Sequence, residues 1–249
     1  MSKLGVFDSG LGGFSIAWAM RRTYPNQDIV FLADQQNLPY GNKTEEVLET
    51  IIYRNMQWFV QQGVTEVILA CNTTSVLGLS AIIHDFPELK MIRIIDITVG
   101  QLKEPHPAEL LVLATKVTIA SHAYAQALKR IDPAVVVHEI PMPNLAKLIE
   151  DMADDQRLKL DFDQHLKPFE HSGLPVILGC THYPLVEKQL TAYLGGIAYS
   201  SINPLLNNQK LYTRGSGCFI CYTTGEPDAF RLKISRLFAA DVEVLHAEI

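Results

Sequence analysis

Two cysteines sit in the same frame in distant parts of the chain. Residues 67–74 read "VILACNTT" and residues 176–183 read "VILGCTHY", so one apolar run reaches Cys71 and a second reaches Cys180. Each thiol is followed by polar, hydroxyl-bearing residues. A thiol carries protons well near neutral pH, because its reference pKa of about 8.5 leaves a thiolate fraction that a neighbouring donor or cation enlarges. One cysteine with a histidine suits nucleophilic hydrolysis. Two thiols serving opposite faces of one carbon suit a different reaction. One thiolate takes a proton from the carbon, the other thiol returns one, and a stereocentre inverts.

An amino-acid α-carbon is a weak acid. Without a pyridoxal ring to absorb charge, such chemistry needs aimed donors in a dry cavity. Ser9, Asn72, Thr73, Thr74 and Thr181 supply donors. His182, two residues beyond Cys180, can assist that thiol, and Asp8 can do so at Cys71. Asp34 reads as a cap or turn residue. His84, His106, His122 and His171 lack comparable context and read as surface or loop residues.

"DSGLGG" at 8–13 ends without the Lys-Ser/Thr of a triphosphate loop, and its glycines miss the dinucleotide spacing. These glycines fit a tight strand-to-helix turn that offers backbone N–H groups to a carboxylate. Cys218-Phe-Ile-Cys221 has a C-x-x-C spacing, but "GCFICYTTG" reads as a strand entering a turn. Residues three apart on a strand point to opposite faces, so the pair reads as two structural thiols. No disulfide framework, metal or cofactor is expected.

The elements that must position these groups alternate strand and helix, giving an α/β chain of mostly parallel sheets. Strands are expected at Lys3–Asp8, Asp28–Asp34, Glu66–Asn72, Met91–Asp96, Glu109–Thr115, Val135–Pro141, Pro175–Thr181 and Cys218–Thr223. The clearest helix is Glu45–Gln62, where Leu48, Ile51, Ile52, Met56, Phe59 and Val60 recur at helical spacing and Gly63 stops it. Ser121 is placed to cap "HAYAQALKRI", and Pro184 and Pro227 suit first helical turns. In open parallel sheets function collects at the carboxyl ends of strands. Asp8-Ser9, Asp34, Cys71-Asn72-Thr73, Thr115 and Cys180-Thr181-His182 all fall at such ends.

Two α/β domains with a cleft between them follow from the repeated frame, with Glu104–Pro107 as a linker. The residue pattern leaves open which half receives the segment after Leu206. The net charge is −6 over 249 residues with no basic tract, which gives no reason to expect nucleic acid as a partner. The apolar runs are far shorter than the roughly 20 residues a bilayer requires. The opening Met1-Ser2-Lys3 leads directly into "LGVFDSG" without the apolar stretch of a signal peptide, so the chain reads as cytoplasmic.

Together these motifs resemble the glutamate racemase family of cofactor-independent amino-acid racemases. The matching stretches are "GVFDSGLGGFS" (5–15), "LPYGNKT" (38–44), "ILACNTTS" (68–75), "TIASHAY" (118–124), "LGCTHYP" (178–184) and "TTGEPDAF" (223–230). The resemblance implies Cys71 and Cys180 as acid/base thiols, Asp8 and His182 as their assistants, and Glu150 as the carboxylate supporting the histidine. It implies that Ser9, Tyr40, Gly41, Asn72, Thr73, Thr115, Thr118 and Thr181 hold glutamate. It further implies a homodimer, D-glutamate for peptidoglycan as the product, and domains of 1–96 with 208–249 and of 97–207. The chain departs from the family pattern at Ala114, where glycine is usual, and at Asn203, where aspartate is common. "RIIDITVG" (93–100) also lacks the usual hinge proline. A racemase of a related acidic amino acid such as aspartate, or a non-catalytic binding protein, are the competing readings.

Overall fold

The structure, a computed structural model, describes residues 3–102, 106–208 and 215–249. Met1 and Ser2, and Glu104 and Pro105 of the expected linker, lie outside the described residues. The chain divides into two compact units, Met1–Ile94 with Leu206–Ile249, and Ile95–Leu205. Both are α/β, and every strand pairing described is parallel.

The first unit is built on β1 (Lys3–Asp8), β2 (Ile29–Ala33), β3 (Val64–Leu69) and β4 (Lys90–Arg93). The strands β1 and β2 carry almost unbroken buried runs, as expected of parallel strands covered on both faces. The helix Glu45–Gln61 buries Leu48, Ile52, Met56 and Phe59. Full burial of such a side chain contributes about 1.5–3 kcal/mol, so this one face anchors the helix. It ends at Gly63, whose φ of 72° suits a residue without Cβ. Within that chain order the second unit contributes β5 (Glu109–Ala114), β6 (Val136–Pro141), β7 (Val176–Gly179) and the short β8 (Ala198–Tyr199), arranged β6-β5-β7-β8. Its core includes Leu111, Leu113, Phe162, Leu178, Tyr183 and Leu190. The C-terminal β9 (Phe219–Thr223) and β10 (Val244–His246) return to the first sheet, whose order is β10-β9-β2-β1-β3-β4.

The structure departs from the sequence expectations in several places, among them the expected strand Glu66–Asn72, which runs over Val64–Leu69 with Asn72 already opening a helix. The apolar run expected as strand Met91–Asp96 ends as strand at Arg93, and Ile94–Val99 is helical, since a short apolar run does not by itself distinguish the two. The strands β8 and β10 are too short to show period-two patterning. Ser121 does not hold the N-cap position, which belongs to His122 at φ 53°. The Ser121 hydroxyl accepts the Ala123 N–H from one residue earlier. The last expected strand begins one residue late, at Phe219, so Cys218 precedes β9 and is exposed, while Cys221 within it is buried, and burial pushes the Cys221 thiol upward. No helix among the described residues is long and apolar enough to cross a membrane.

Candidate active site

In the first unit the reactive groups gather at the carboxyl ends of β1, β2 and β3. Ala70 and Cys71 both direct their N–H groups to the Phe7 carbonyl (2.9 and 3.3 Å), which carries the thiol alongside the end of β1. Asp8 is fully buried, and its Oδ1 accepts the Gly10 N–H at 2.8 Å. The helix beginning at Gly12 closes so tightly on Asp8 that a Cβ on Gly13 would lie 2.2 Å from the Asp8 Cβ. Glycine is required there by space. Ser9 Oγ lies 3.8 Å from Cys71 Sγ. Asn72 and Thr73 open the short helix Asn72–Ser75 and are buried, and the Ser75 hydroxyl ties that helix back to the Leu69 carbonyl at 2.8 Å. Tyr40 is buried in the short turn Tyr40–Asn42, with the half-buried Gly41 beside it. Burial, and then the charge of Asp34, holds the Tyr40 phenol well above its ordinary value. Cys71 and Asp8 add to that field.

In the second unit Cys180 follows the end of β7. Its Sγ lies 3.7 Å from His182 Nδ1, and His182 Nε2 lies 2.8 Å from Glu150 Oε1. All three residues are buried. Burial alone would lower the imidazolium. The hydrogen bonds to Cys180 and Glu150, with their negative charges, outweigh it and hold His182 well above its usual value. The Tyr183 hydroxyl donates to the Met142 carbonyl at 3.1 Å, fixing the turn that carries the histidine. At the end of β5, Thr115 caps the helix Lys116–Ala120. Its Oγ1 accepts the Thr118 N–H at 3.4 Å and lies 3.1 Å from the Thr118 hydroxyl. Thr181 is buried next to Cys180.

Each unit therefore holds a buried thiol at a strand end among hydroxyls, and the second thiol leads into a histidine–carboxylate chain. The chain matches no protein-family model. It is 30% identical over 246 residues to the glutamate racemase of Aquifex aeolicus, covering 97% of this chain and 96% of that protein.

The chain belongs to the glutamate racemase family.

The glutamate racemase of Lactobacillus helveticus is 29% identical over 99% of this chain and 96% of its own length. Among solved structures, the glutamate racemase of Francisella tularensis in complex with D-glutamate superposes with a TM-score of 0.86 at 27% identity. It covers all of this chain and 97% of its own. Within this glutamate racemase framework, the structure joins Cys180 to His182 and Glu150, Ser9 to Cys71, and Thr115 to Thr118. Asp34 is the residue whose sequence reading changes. It occupies the cap position before the turn Gln35–Asn37, but its side chain caps nothing there. It receives hydrogen bonds from Asn37, Tyr40, Asn55 and Thr224. The available signal was its place at a strand end ahead of several amide and hydroxyl donors. Two of those donors arrive from distant segments and leave no local trace.

Proposed function

We propose that this protein interconverts L- and D-glutamate by proton transfer at the α-carbon, with Cys71 and Cys180 as the two acid/base thiols. One thiolate removes the α-proton and the opposite thiol delivers its own proton to the other face, so proton number and charge balance in either direction. Asp8 supports Cys71. His182 exchanges the proton of Cys180 across their contact, and Glu150 keeps the imidazole oriented and electron-rich. The observation that carries this reading is the buried Cys180–His182–Glu150 chain in a protein related over nearly its full length to glutamate racemases.

Ser9, Tyr40, Gly41, Asn72, Thr73, Thr115, Thr118 and Thr181 are the groups proposed to hold the two carboxylates and the ammonium of glutamate. The domains, taken as 1–96 with 208–249 and as 97–207, each supply one thiol. The mechanism calls for neither a metal nor pyridoxal phosphate. A cytoplasmic homodimer that supplies D-glutamate to peptidoglycan synthesis completes the proposal.

Incubation of either enantiomer in heavy water tests it. Each should convert to the other with deuterium at the α-carbon, and Cys71→Ala or Cys180→Ala should each lower the rate by at least about 100-fold. Full activity in either variant would rule out the two-thiol mechanism. Unchanged turnover after dialysis against a chelator, and a dimer mass in light scattering, are the accompanying expectations.

A further inference from the structure

Asp34 closes β2 and spends its carboxylate on more partners than a turn needs. Its own N–H is satisfied by the Asp8 carbonyl at 2.9 Å. The side chain is buried, and it accepts from four residues. Asn37 Nδ2 lies 3.0 Å from both oxygens, and the Tyr40 hydroxyl lies 2.5 Å from Oδ2. Asn55 Nδ2, from the helix Glu45–Gln61, lies 3.3 Å from Oδ2, and the Thr224 hydroxyl, just past β9, lies 2.8 Å from Oδ1. Burying a carboxylate is costly unless its lone pairs are satisfied, and bonds to a charged acceptor are stronger than neutral ones. Neutral donors offset that cost here, and the result is a rigid knot at the foot of the turn carrying Tyr40 and Gly41. The Tyr40 proton is committed to Asp34. Toward any other group the phenol oxygen can therefore only accept.

We propose that Asp34 is a positioning residue of the Cys71 half-site. It holds the Tyr40–Gly41 turn in its substrate-receiving geometry and ties that turn through Thr224 to the returning C-terminal strand. The inference rests on the racemase reading. It assigns to Asp34 no contact with substrate and no part in proton transfer. The carboxylate acts through Tyr40.

Racemisation of both enantiomers, followed by circular dichroism, tests this in Asp34→Asn, Tyr40→Phe, the double variant, Thr224→Val and Thr224→Ser. Asp34→Asn should raise KM by about tenfold or more with a smaller change in kcat. Adding Tyr40→Phe to it should cost less than the product of the two single losses. Thr224→Val should raise KM several-fold, and Thr224→Ser, which keeps the hydroxyl, should recover most of that loss. If Asp34→Asn does not fold, the Tyr40 and Thr224 variants decide the matter. An active wild type with KM unchanged in both Asp34→Asn and Thr224→Val, or with Thr224→Ser as impaired as Thr224→Val, would overturn the inference and leave the racemase reading intact. A wild type without turnover would overturn the racemase reading, and this inference with it.

Discussion

At His182 two effects oppose each other. Burial disfavours the imidazolium, while contacts to Cys180 Sγ at 3.7 Å and Glu150 Oε1 at 2.8 Å favour it and win. The folded value thus lies above the unfolded one. The charged ring contributes stability that is fully present below about pH 6.5 and is lost as pH rises through the raised folded value. The same sign governs the chemistry. Replacing Glu150 by Gln removes a negative partner, so His182 should lose its proton at a lower pH. The alkaline limb of the kcat/KM profile in Glu150→Gln is then expected to move to lower pH, with a rate loss of about 10–100-fold. A variant that had merely loosened the site would lower the rate equally at all pH values.

Among the elements, the strand-to-helix junction after β1 leaves no room for a side chain at Gly13. The helix Gly12–Thr23 starts against Asp8, and a methyl group at Gly13 would meet the Asp8 Cβ at 2.2 Å and its Cγ at 2.8 Å. Backbone and carboxylate must separate to admit it. Gly13→Ala should therefore cost about 1–3 kcal/mol of stability and, by displacing Asp8, reduce kcat by tenfold or more. Gly63 provides the control. Its φ is 72° and nothing lies within 4 Å of an added Cβ. Gly63→Ala should cost about 1 kcal/mol through backbone strain alone and leave kcat where it was. Thermal melts and steady-state kinetics on the two variants separate crowding at the site from conformational strain away from it.

For the whole molecule, the cohesion of the first unit depends on a segment that returns from the far end of the chain. Its register is pinned where β9 pairs with β2, and Asp28 holds the entry to β9. Asp28 Oδ1 accepts from the Cys218 N–H at 2.8 Å and from the Ser216 N–H and hydroxyl, both at 2.9 Å. The Cys218 N–H does most to lower this carboxyl below its usual value, and partial desolvation opposes it. For a depressed carboxylate the stability is present above the unfolded pKa of about 4 and is lost as pH falls through the folded value. Asp28→Asn should therefore lower the melting temperature at neutral pH by roughly 3–6 °C. The difference from wild type should shrink as pH falls below about 4. A constant difference across that range would assign the effect to packing.

Sequence alone determined the alternation of strand and helix, the approximate strand limits and the residues at the strand ends. Period, capping chemistry and breakers such as Gly63 act between near neighbours, so they are written locally. The family followed from six short motifs in order. Other features depended on residues far apart in the chain. Tertiary structure decided that β9 runs beside β2, that Ile94–Val99 is helical, and that Glu150 reaches His182 across 32 residues. It also turned Asp34 from an ordinary turn residue into the acceptor of bonds from Asn55 and Thr224, 21 and 190 positions away. A buried charge takes its partners from whatever folding places beside it, and separation along the chain carries no signal of that proximity.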